Sequence, residues 1–203
     1  MSQNTQGFYK LFSYPILYSL TQKIMSGESK RASLVKNIVT KNSKLLDIGC
    51  GTAKIIESLP QINYYGYDIS KKYISYAKKK YSSKKYNFYC KKFNFKEIKK
   101  LPKFDFILLF GIMHHLDDTE LRKTLFLLKK VLKTKGTLLT CDPIFIKKQN
   151  IFANFLIKSD VGKNVRYKKD YLKLLNKNFK KVKAKIHNQS FIPYTWFSTQ
   201  CRY

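Results

Sequence analysis

The chain has 203 residues and a mass of 24.0 kDa, enough for one domain to bury a core without disulfides or structural metals. Hydrophobic residues make up 44% and aromatic residues 15%, which excludes a disordered chain, and no apolar run reaches the roughly 20 residues that a membrane-spanning helix needs. The 41 Lys and Arg against 12 Asp and Glu give a formal charge of +29, but only four are arginines, so a lysine-rich, solvated surface is favoured over a nucleic-acid interface.

Residues 1–40 are predicted to form an N-terminal helical cap or lid. They contain the aromatic, amphipathic stretch "GFYKLFSYPILYSLTQKI" and the helical pattern "ESKRASLVKNIV". The first stretch is too short to span a membrane. A membrane surface is one place for it to bind, but we expect it to cover an edge or a pocket of the domain. Because no signal-peptide pattern is present and the four cysteines form no CxxC pair, we expect a cytoplasmic protein with reduced thiols.

From residue 41 to residue 203, strand-like apolar runs alternate with helical patterns, which is typical of an α/β fold. Helices are predicted in "AKIIESL", after the N-cap Ser70, from Asp118 or Thr119 to Gly136, and in 169–179. The seven predicted strands are 43–50, 63–68, 86–90, 104–111, 136–143, 180–188 and 194–201. We therefore expect a single Rossmann-like, doubly wound domain, with a mostly parallel sheet, an antiparallel closing strand and helices on both faces.

The first predicted strand ends in "LLDIGCGTA", where ligands of doubly wound sheets bind. Gly49 and Gly51 lack a Cβ and so let the backbone approach a ligand closely. The third glycine of a GxGxxG dinucleotide motif is missing, and the carboxylate of Asp47 would repel a pyrophosphate. Asp68 ends the second strand. A cationic ligand suits these carboxylates better.

Four segments in order resemble the motifs of class I S-adenosylmethionine-dependent methyltransferases: "LLDIGCGTA", "YYGYDIS", "FDFILLFGIMHHLDD" and "GTLLTCDP". The resemblance covers residues 43–143 and implies S-adenosyl-L-methionine, which carries an ammonium and a sulfonium, as the cofactor. The residues that it implies for cofactor binding are Asp47, Gly49, Cys50, Gly51, Asp68, Ile69, Phe93, Asn94, Phe110 and Gly111.

Within that set the resemblance implies separate roles. The turn from Asp47 to Gly51 would hold the methionine half of the cofactor, Asp68 would accept hydrogen bonds from the ribose, and Ile69 would lie against the adenine. The family often has an aspartate after the third strand, but here the segment is "CKKFNF", so Phe93 or Asn94 would supply that contact. Ala53, in place of a further glycine, is another departure.

The C-terminal third resembles a group of bacterial small-molecule methyltransferases with a "DxGxxVR" segment and a later "PY". Here these are "DVGKNVR", residues 160–166, and "IPYTWF", residues 192–197. This resemblance implies a small-molecule methyl acceptor. Arg166 would then pair with a carboxylate or phosphate of the substrate, or else form a structural salt bridge.

Methyl transfer from a sulfonium is an in-line displacement that depends mainly on positioning, and a general base is needed only for an acceptor that must lose a proton. His115 is the predicted base because histidine titrates near neutrality. His114 and Asp142 are weaker candidates for the base, and both are predicted to bind the substrate.

A metal site is not predicted, although His114, His115, Asp117 and Asp118 are all suitable ligand types. Adjacent residues of an extended segment point to opposite sides, and ligand pairs on a helix are three or four residues apart. The third histidine, His187, lies in another part of the chain.

Two other functions are alternatives to small-molecule methylation. The charge of +29 motivates a nucleic-acid methyltransferase, but "GIMHH" stands where base-modifying members carry an Asn/Asp-Pro-Pro-aromatic or Pro-Cys motif. A non-catalytic cofactor-binding protein is the second alternative. The sequence leaves the acceptor atom and the oligomeric state open.

Overall fold

The structure is a computed structural model and describes residues 27–158, 162–188 and 194–203. The aromatic stretch that was predicted to form a cap or lid lies outside the described residues, so that prediction stays open. The chain divides into two compact units, one reaching Phe93 and the other running from Asn94 to Tyr203.

The first unit is a parallel three-stranded arrangement with β2 between β1 and β3. The side chain of Ser70 caps the helix that follows β2, as predicted, by accepting a hydrogen bond from the backbone N–H of Tyr73. Its described elements are α1 (Gly27–Lys36), β1 (Lys44–Ile48), a 3-10 turn (Lys54–Ser58), β2 (Asn63–Asp68), α2 (Lys71–Lys80) and β3 (Tyr86–Cys90).

In the second unit, β4 and β5 are parallel, β8 is antiparallel to β5, and β7 is antiparallel to β8. A two-residue strand, β6, pairs in parallel with the end of β5. The described elements are α3 (Phe95–Ile98), β4 (Phe104–Phe110), a 3-10 turn (Met113–His115), α4 (Asp118–Val131), β5 (Leu132–Phe145), α5 (Ile151–Lys158), β6 (Arg166–Tyr167), α6 (Lys168–Asn176), β7 (Lys181–Asn188) and β8 (Thr195–Arg202).

The predicted fold class is confirmed. Every strand predicted from the sequence is present, the sheet is mostly parallel, and the closing strand is antiparallel. The additional strand β6 was not predicted because two residues carry no period-2 pattern. In β4 every side chain except that of Asp105 is buried, as expected for a strand that is apolar on both faces.

The predicted end of α4 at Gly136 is wrong. The helix ends at Val131, because Leu132 takes an extended backbone (φ −78°, ψ 138°), pairs with Phe104 of β4 and buries its side chain in the core. Gly136 lies inside β5, where a Cβ would come within 2.7 Å of Leu132 Cδ1.

The start of α4 and the form of the segment "AKIIESL" also differ from the prediction. The N-cap of α4 is Asp117, one residue before the prediction, and its Oδ1 accepts a hydrogen bond from Glu120 N at 2.8 Å. The segment "AKIIESL" forms only the 3-10 turn Lys54–Ser58 rather than an α-helix.

Candidate functional site

The turn after β1 has the left-handed backbone for which glycine is suited. Gly49 has φ 72° and Gly51 has φ 54°, and a side chain at such positions costs about 1–2 kcal/mol. The N–H groups of Gly49 and Cys50 donate to the carbonyl oxygen of Tyr67 at 2.7 and 3.0 Å, which ties the turn to β2. Ala53 also has a positive φ, 56°, so it carries the strain that a further glycine would avoid.

Asp47 is a buried carboxyl at the carboxyl end of β1, with 4% of its surface exposed. Its Oδ2 accepts a hydrogen bond of 2.6 Å from the hydroxyl of the fully buried Tyr64. Burial raises the pKa of Asp47 to about 7, although the Tyr64 hydrogen bond and the charge of Arg31 act in the opposite direction. A cationic ligand group beside this carboxyl would favour its ionised form.

A strand glycine explains how Tyr64 reaches Asp47. Gly66 pairs with Asp47 across the two strands, and a Cβ at Gly66 would come within 2.8 Å of Tyr64 Cε1 and 2.9 Å of Cys50 Sγ. The tyrosine ring and the thiol therefore occupy the space above the glycine. Sequence reasoning missed Tyr64, and the glycine within "NYYGYD" was the signal that could have indicated it.

Asp68 is held by backbone donors at the carboxyl end of β2. Its Oδ2 accepts a hydrogen bond from Gly51 N at 2.9 Å, and its Oδ1 accepts one from Ser70 N at 2.8 Å. Burial raises its pKa, and these backbone hydrogen bonds oppose that rise. Each carboxylate oxygen retains a second lone pair, so Asp68 can also accept hydrogen bonds from two hydroxyl groups of a ligand.

The predicted adenine contacts differ in what they can offer. Ile69 is 43% exposed, directly after Asp68, and the ring of Phe93 meets that of Tyr67 edge-on at 5.6 Å. Asn94 caps α3, and its Oδ1 already accepts from Lys96 N and Glu97 N at 2.8 and 3.3 Å. An apolar contact from Phe93 is therefore better supported than a polar one from Asn94.

In the second unit, β4 ends in another left-handed turn. Phe110 is buried and pairs with Cys141 of β5, and the N–H of Gly111 (φ 66°) donates to the carbonyl oxygen of Cys141 at 2.8 Å. Glycine stands where this left-handed backbone requires it.

His114 and Asp142 form a buried pair on this unit. Asp142 Oδ1 lies 2.8 Å from His114 Nδ1 and accepts a second hydrogen bond from His114 N at 3.2 Å. Both residues are at least 95% buried, and Asp142 Oδ2 has no hydrogen-bond partner within the described residues. An ionised Asp142 would place the imidazole proton on Nδ1, leaving Nε2 as an acceptor.

The 3-10 turn that carries His115 is fixed through its neighbour. The carbonyl oxygen of His114 accepts a hydrogen bond from Asn164 N at 2.9 Å, and a Cβ at Gly162 would overlap the His114 ring. The ring of His115 lies 4.1 Å from that of His114 and is partly exposed. The anchored imidazole is therefore His114, and the accessible one is His115.

Arg166 clamps the same turn to the start of α4. Its Nε and Nη2 donate to Asp118 Oδ1 at 3.0 and 2.9 Å. The remaining donors bond backbone carbonyl oxygens at 2.7 to 2.9 Å, those of Met113, Asn164 and Leu116. Of the two predicted alternatives for Arg166, the structural ion pair is formed. The hydrogen bonds from Arg166 hold the pKa of Asp118 below its ordinary value.

The predicted site residues thus form two groups, each within its own unit. Those that come together in the first unit are Asp47, Gly49, Cys50, Gly51 and Asp68, with Ile69 and Phe93 following β2 and β3. The second unit holds Asn94, Phe110, Gly111, His114, His115, Asp142 and Arg166. Burial raises the pKa of the Cys50 thiol, so it lies in the turn as an uncharged group.

Within the described ranges, no three His, Cys, Asp or Glu side chains converge as a metal site would require. In the same part of the chain, no helix combines the length and the apolar character needed to cross a membrane.

A family model described as a methyltransferase domain matches residues 39–197, most of the chain. The chain belongs to this methyltransferase family. The family match agrees with S-adenosyl-L-methionine, the cofactor that the sequence resemblance implies. The first unit fits that molecule. The buried carboxyl of Asp47 suits an ammonium, and the left-handed Gly49 and Gly51 let a ligand approach closely. The oriented carboxylate of Asp68 suits ribose hydroxyls.

Solved methyltransferase structures have the same fold at low sequence identity. The mitomycin 7-O-methyltransferase MmcR is 17% identical with a TM-score of 0.65, and the match covers 98% of this chain and 62% of that one. The N-methyltransferase NodS from Bradyrhizobium japonicum is 17% identical with a TM-score of 0.64, covering 87% of this chain and 97% of that one.

A third structure contains the demethylated cofactor. A phosphoethanolamine N-methyltransferase from Haemonchus contortus, in complex with S-adenosylhomocysteine, is 13% identical with a TM-score of 0.67; the match covers 86% of this chain and 52% of that one. The methyltransferase thus spans less than two thirds of MmcR and of this nematode enzyme. No curated protein matches it in sequence.

Proposed function

We propose that this methyltransferase transfers the methyl group to an oxygen or nitrogen atom of a small molecule. The observation that carries the proposal is the second-unit turn, in which a partly exposed imidazole, His115, lies with its ring centroid 4.1 Å from that of the buried and anchored His114. Such a turn can offer one proton-accepting group at a fixed place. The names of the mitomycin O-methyltransferase and the phosphoethanolamine N-methyltransferase support a small acceptor.

On the cofactor side, the roles that we propose follow the electrostatics of the first unit. Asp47 receives the ammonium of the methionine half, Gly49 and Gly51 give it a backbone without side chains, and the thiol of Cys50 between them lies over Gly66. Asp68 accepts hydrogen bonds from the ribose while Gly51 N and Ser70 N hold the carboxylate in place. Contacts from Ile69, Phe93, Asn94, Phe110 and Gly111 stay predictions.

The bound cofactor supplies an electrophilic methyl carbon whose leaving group is a neutral thioether and needs no acid. The protein's contribution is therefore to hold the acceptor atom in line and, for a hydroxyl acceptor, to take its proton. We assign that proton to His115. His114 and Asp142 act as positioning residues that fix the turn, and Arg166 clamps the turn instead of binding substrate.

A pair of variants separates the base from its anchor. His115→Gln should lower kcat for a hydroxyl acceptor by about 10²-fold or more and abolish the titration near neutrality, while the cofactor binds as before. Asp142→Asn should lower kcat less and also lower the free energy of unfolding. Unchanged turnover of His115→Gln at every pH would show that this histidine carries no proton.

A methyl-transfer screen with isotopically labelled S-adenosylmethionine tests the acceptor class. Small hydroxylated compounds, amines and carboxylates would be compared with total RNA under equal conditions. We expect label on a small molecule and none on RNA. Label on RNA, with binding that falls steeply with salt, would replace the small-molecule proposal by the nucleic-acid alternative that the charge of +29 motivates.

A further inference from the structure

The helix α5 (Ile151–Lys158) has apolar side chains on two opposite faces. One face is packed into the unit through Ala153 and Ile157, which are 2% and 1% exposed. The other carries Ile151, Phe152 and Phe155, which are 84%, 71% and 68% exposed. At 100° per residue these three side chains lie within an arc of about 100°, opposite the packed face. Surface helices normally present polar side chains there.

The structure holds this helix in place. Its first turn is capped by Asn150, whose Oδ1 accepts hydrogen bonds from Phe152 N and Ala153 N at 2.8 and 3.4 Å. The preceding Gln149 donates to the carbonyl oxygen of Ile144 at 3.2 Å and to Thr195 Oγ1 at 3.3 Å. The outward orientation of the phenylalanines is therefore set by hydrogen bonds and by burial of the opposite face.

The chain on either side of this helix is rich in exposed lysines. Between Asp142 and Asp170 the sequence has a single acidic residue, Asp160, which lies outside the described residues. The exposed lysines in this stretch are Lys147, Lys148, Lys158, Lys163, Lys168 and Lys169. An exposed aromatic, Tyr167, lies among them on β6. The segment from 143 to 169 therefore combines protruding apolar groups with a strong positive potential.

The lysines and the exposed apolar side chains together favour one of three partners: a second copy of the chain, RNA or a membrane. A second copy would bring its own lysines against these, and each copy carries a net charge of +29, so self-association through this face is opposed by repulsion. RNA would gain little from a protruding isoleucine and from lysines without an exposed arginine fork. A bilayer with anionic lipids offers both an apolar acyl boundary and negative headgroups.

We propose that the α5 face, formed by Ile151, Phe152 and Phe155, docks on an anionic membrane surface. The two phenylalanines and the isoleucine enter the boundary between headgroups and acyl chains, and the flanking lysines contact lipid phosphates. The helix lies on the surface and does not span it. This inference is independent of the methyl acceptor and of the roles assigned to the histidines.

The test is co-sedimentation of the full chain with vesicles of phosphatidylcholine, with or without phosphatidylglycerol. The wild-type protein should bind the anionic vesicles more tightly than the neutral ones by about tenfold or more, with an affinity that falls as salt rises. The double variant Phe152→Ser and Phe155→Ser keeps every charge and should bind anionic vesicles about tenfold or more weakly.

A matched control replaces two other exposed phenylalanines of the second unit. Phe95 and Phe126 are each 51% exposed, and Lys130 lies over both rings. The Phe95→Ser, Phe126→Ser variant should bind within about twofold of wild type, since these rings lie outside the α5 face. Circular dichroism and cofactor binding would verify that each variant is folded.

A second pair of variants distinguishes the effect of the lysines next to α5 from the effect of the overall net charge. Lys147→Glu with Lys148→Glu and Lys78→Glu with Lys79→Glu both lower the net charge from +29 to +25, because each substitution removes two positive units. Only the first pair flanks α5 and should weaken vesicle binding strongly.

Three results would overturn the proposal. They are the absence of wild-type binding, equal binding by the two phenylalanine variants, and equal loss in the two charge variants. Concentration-dependent self-association that disappears in the Phe152, Phe155 variant would instead assign the face to a second copy.

Discussion

Replacing Asp47 by asparagine should stabilise the cofactor-free enzyme while weakening cofactor binding. Burial raises the pKa of Asp47 from 3.8 to about 7, so the folded protein holds this proton more tightly than the unfolded chain does. Stability from this group is therefore fully present below pH 4 and is lost as the pH rises to 7. A difference of about 3 pKa units corresponds to at most about 4 kcal/mol above pH 7.

The Asp47→Asn variant should recover part of that loss. The amide that replaces the carboxyl cannot ionise, and Tyr64 can still donate to its carbonyl oxygen, but the buried N–H₂ group would lack an evident acceptor, which costs about 1–3 kcal/mol. We expect a net gain of about 1–3 kcal/mol at pH 8 relative to wild type, and a net loss of up to about 2 kcal/mol at pH 4, where the wild-type carboxyl has lost little of its stabilising effect. S-adenosylmethionine should bind the variant about 10²-fold more weakly because its ammonium loses a buried carboxylate.

Urea unfolding of wild type and Asp47→Asn at pH 4, 6 and 8, without cofactor, measures the difference directly, and the effects of all other titrating groups cancel in it. The reasoning would be refuted if the variant were destabilised equally at all three pH values. It would also be refuted if cofactor affinity were unchanged at pH 8.

Three further predictions concern neighbouring groups. Tyr64→Phe removes the hydrogen bond that lowers the pKa of Asp47, so that pKa should rise further, and a plot of cofactor affinity against pH should move to higher pH. Arg166→Met should cost about 3 kcal/mol in thermal or urea unfolding, because three backbone carbonyls lose their donor, whereas Arg122→Met, which removes an exposed pair with Asp118, should cost less than about 0.5 kcal/mol. Gly162→Ala should destabilise by about 1–3 kcal/mol, since its Cβ would overlap the His114 ring; a free energy of unfolding within error of wild type would contradict that packing.

The turn after β1 was readable from the sequence because its determinants are local. Gly49 and Gly51 lie within a few residues of Asp47, and the backbone angles of the turn demand glycine there. Ser70 likewise caps the helix that begins beside it. Such features depend on neighbours along the chain, which motifs record.

The group of side chains in the second unit depends on contacts between distant residues. His114 and Asp142 are 28 residues apart, and Arg166 and Asp118 are 48 apart, so only the pairing of strands and the packing of loops bring them together. The same holds for α4, whose end is set by the burial of Leu132 against β4 rather than by the glycine four residues later. At this position, tertiary packing outweighs the tendency of glycine to end a helix.

The exposed face of α5 illustrates a third limit. No helix is predicted from the sequence between the strand that ends at residue 143 and the helix that begins at residue 169, whereas the structure has α5 (Ile151–Lys158) there. Which of its faces is packed depends on the position of the helix against β5, and the sequence does not contain that information in any short pattern.

The central claim is that the carboxyl ends of β1 and β2 bind S-adenosylmethionine through Asp47 and Asp68. Its most direct test is calorimetric titration of the cofactor into wild type, Asp68→Asn and the surface control Asp105→Asn, whose parent carboxylate pairs with Lys133 at 2.7 Å. We predict saturable binding by wild type and Asp105→Asn, and binding about 10- to 100-fold weaker by Asp68→Asn, because charge-assisted hydrogen bonds to the ribose are lost. Equal affinity in all three proteins, or no binding by the wild type, would contradict the account.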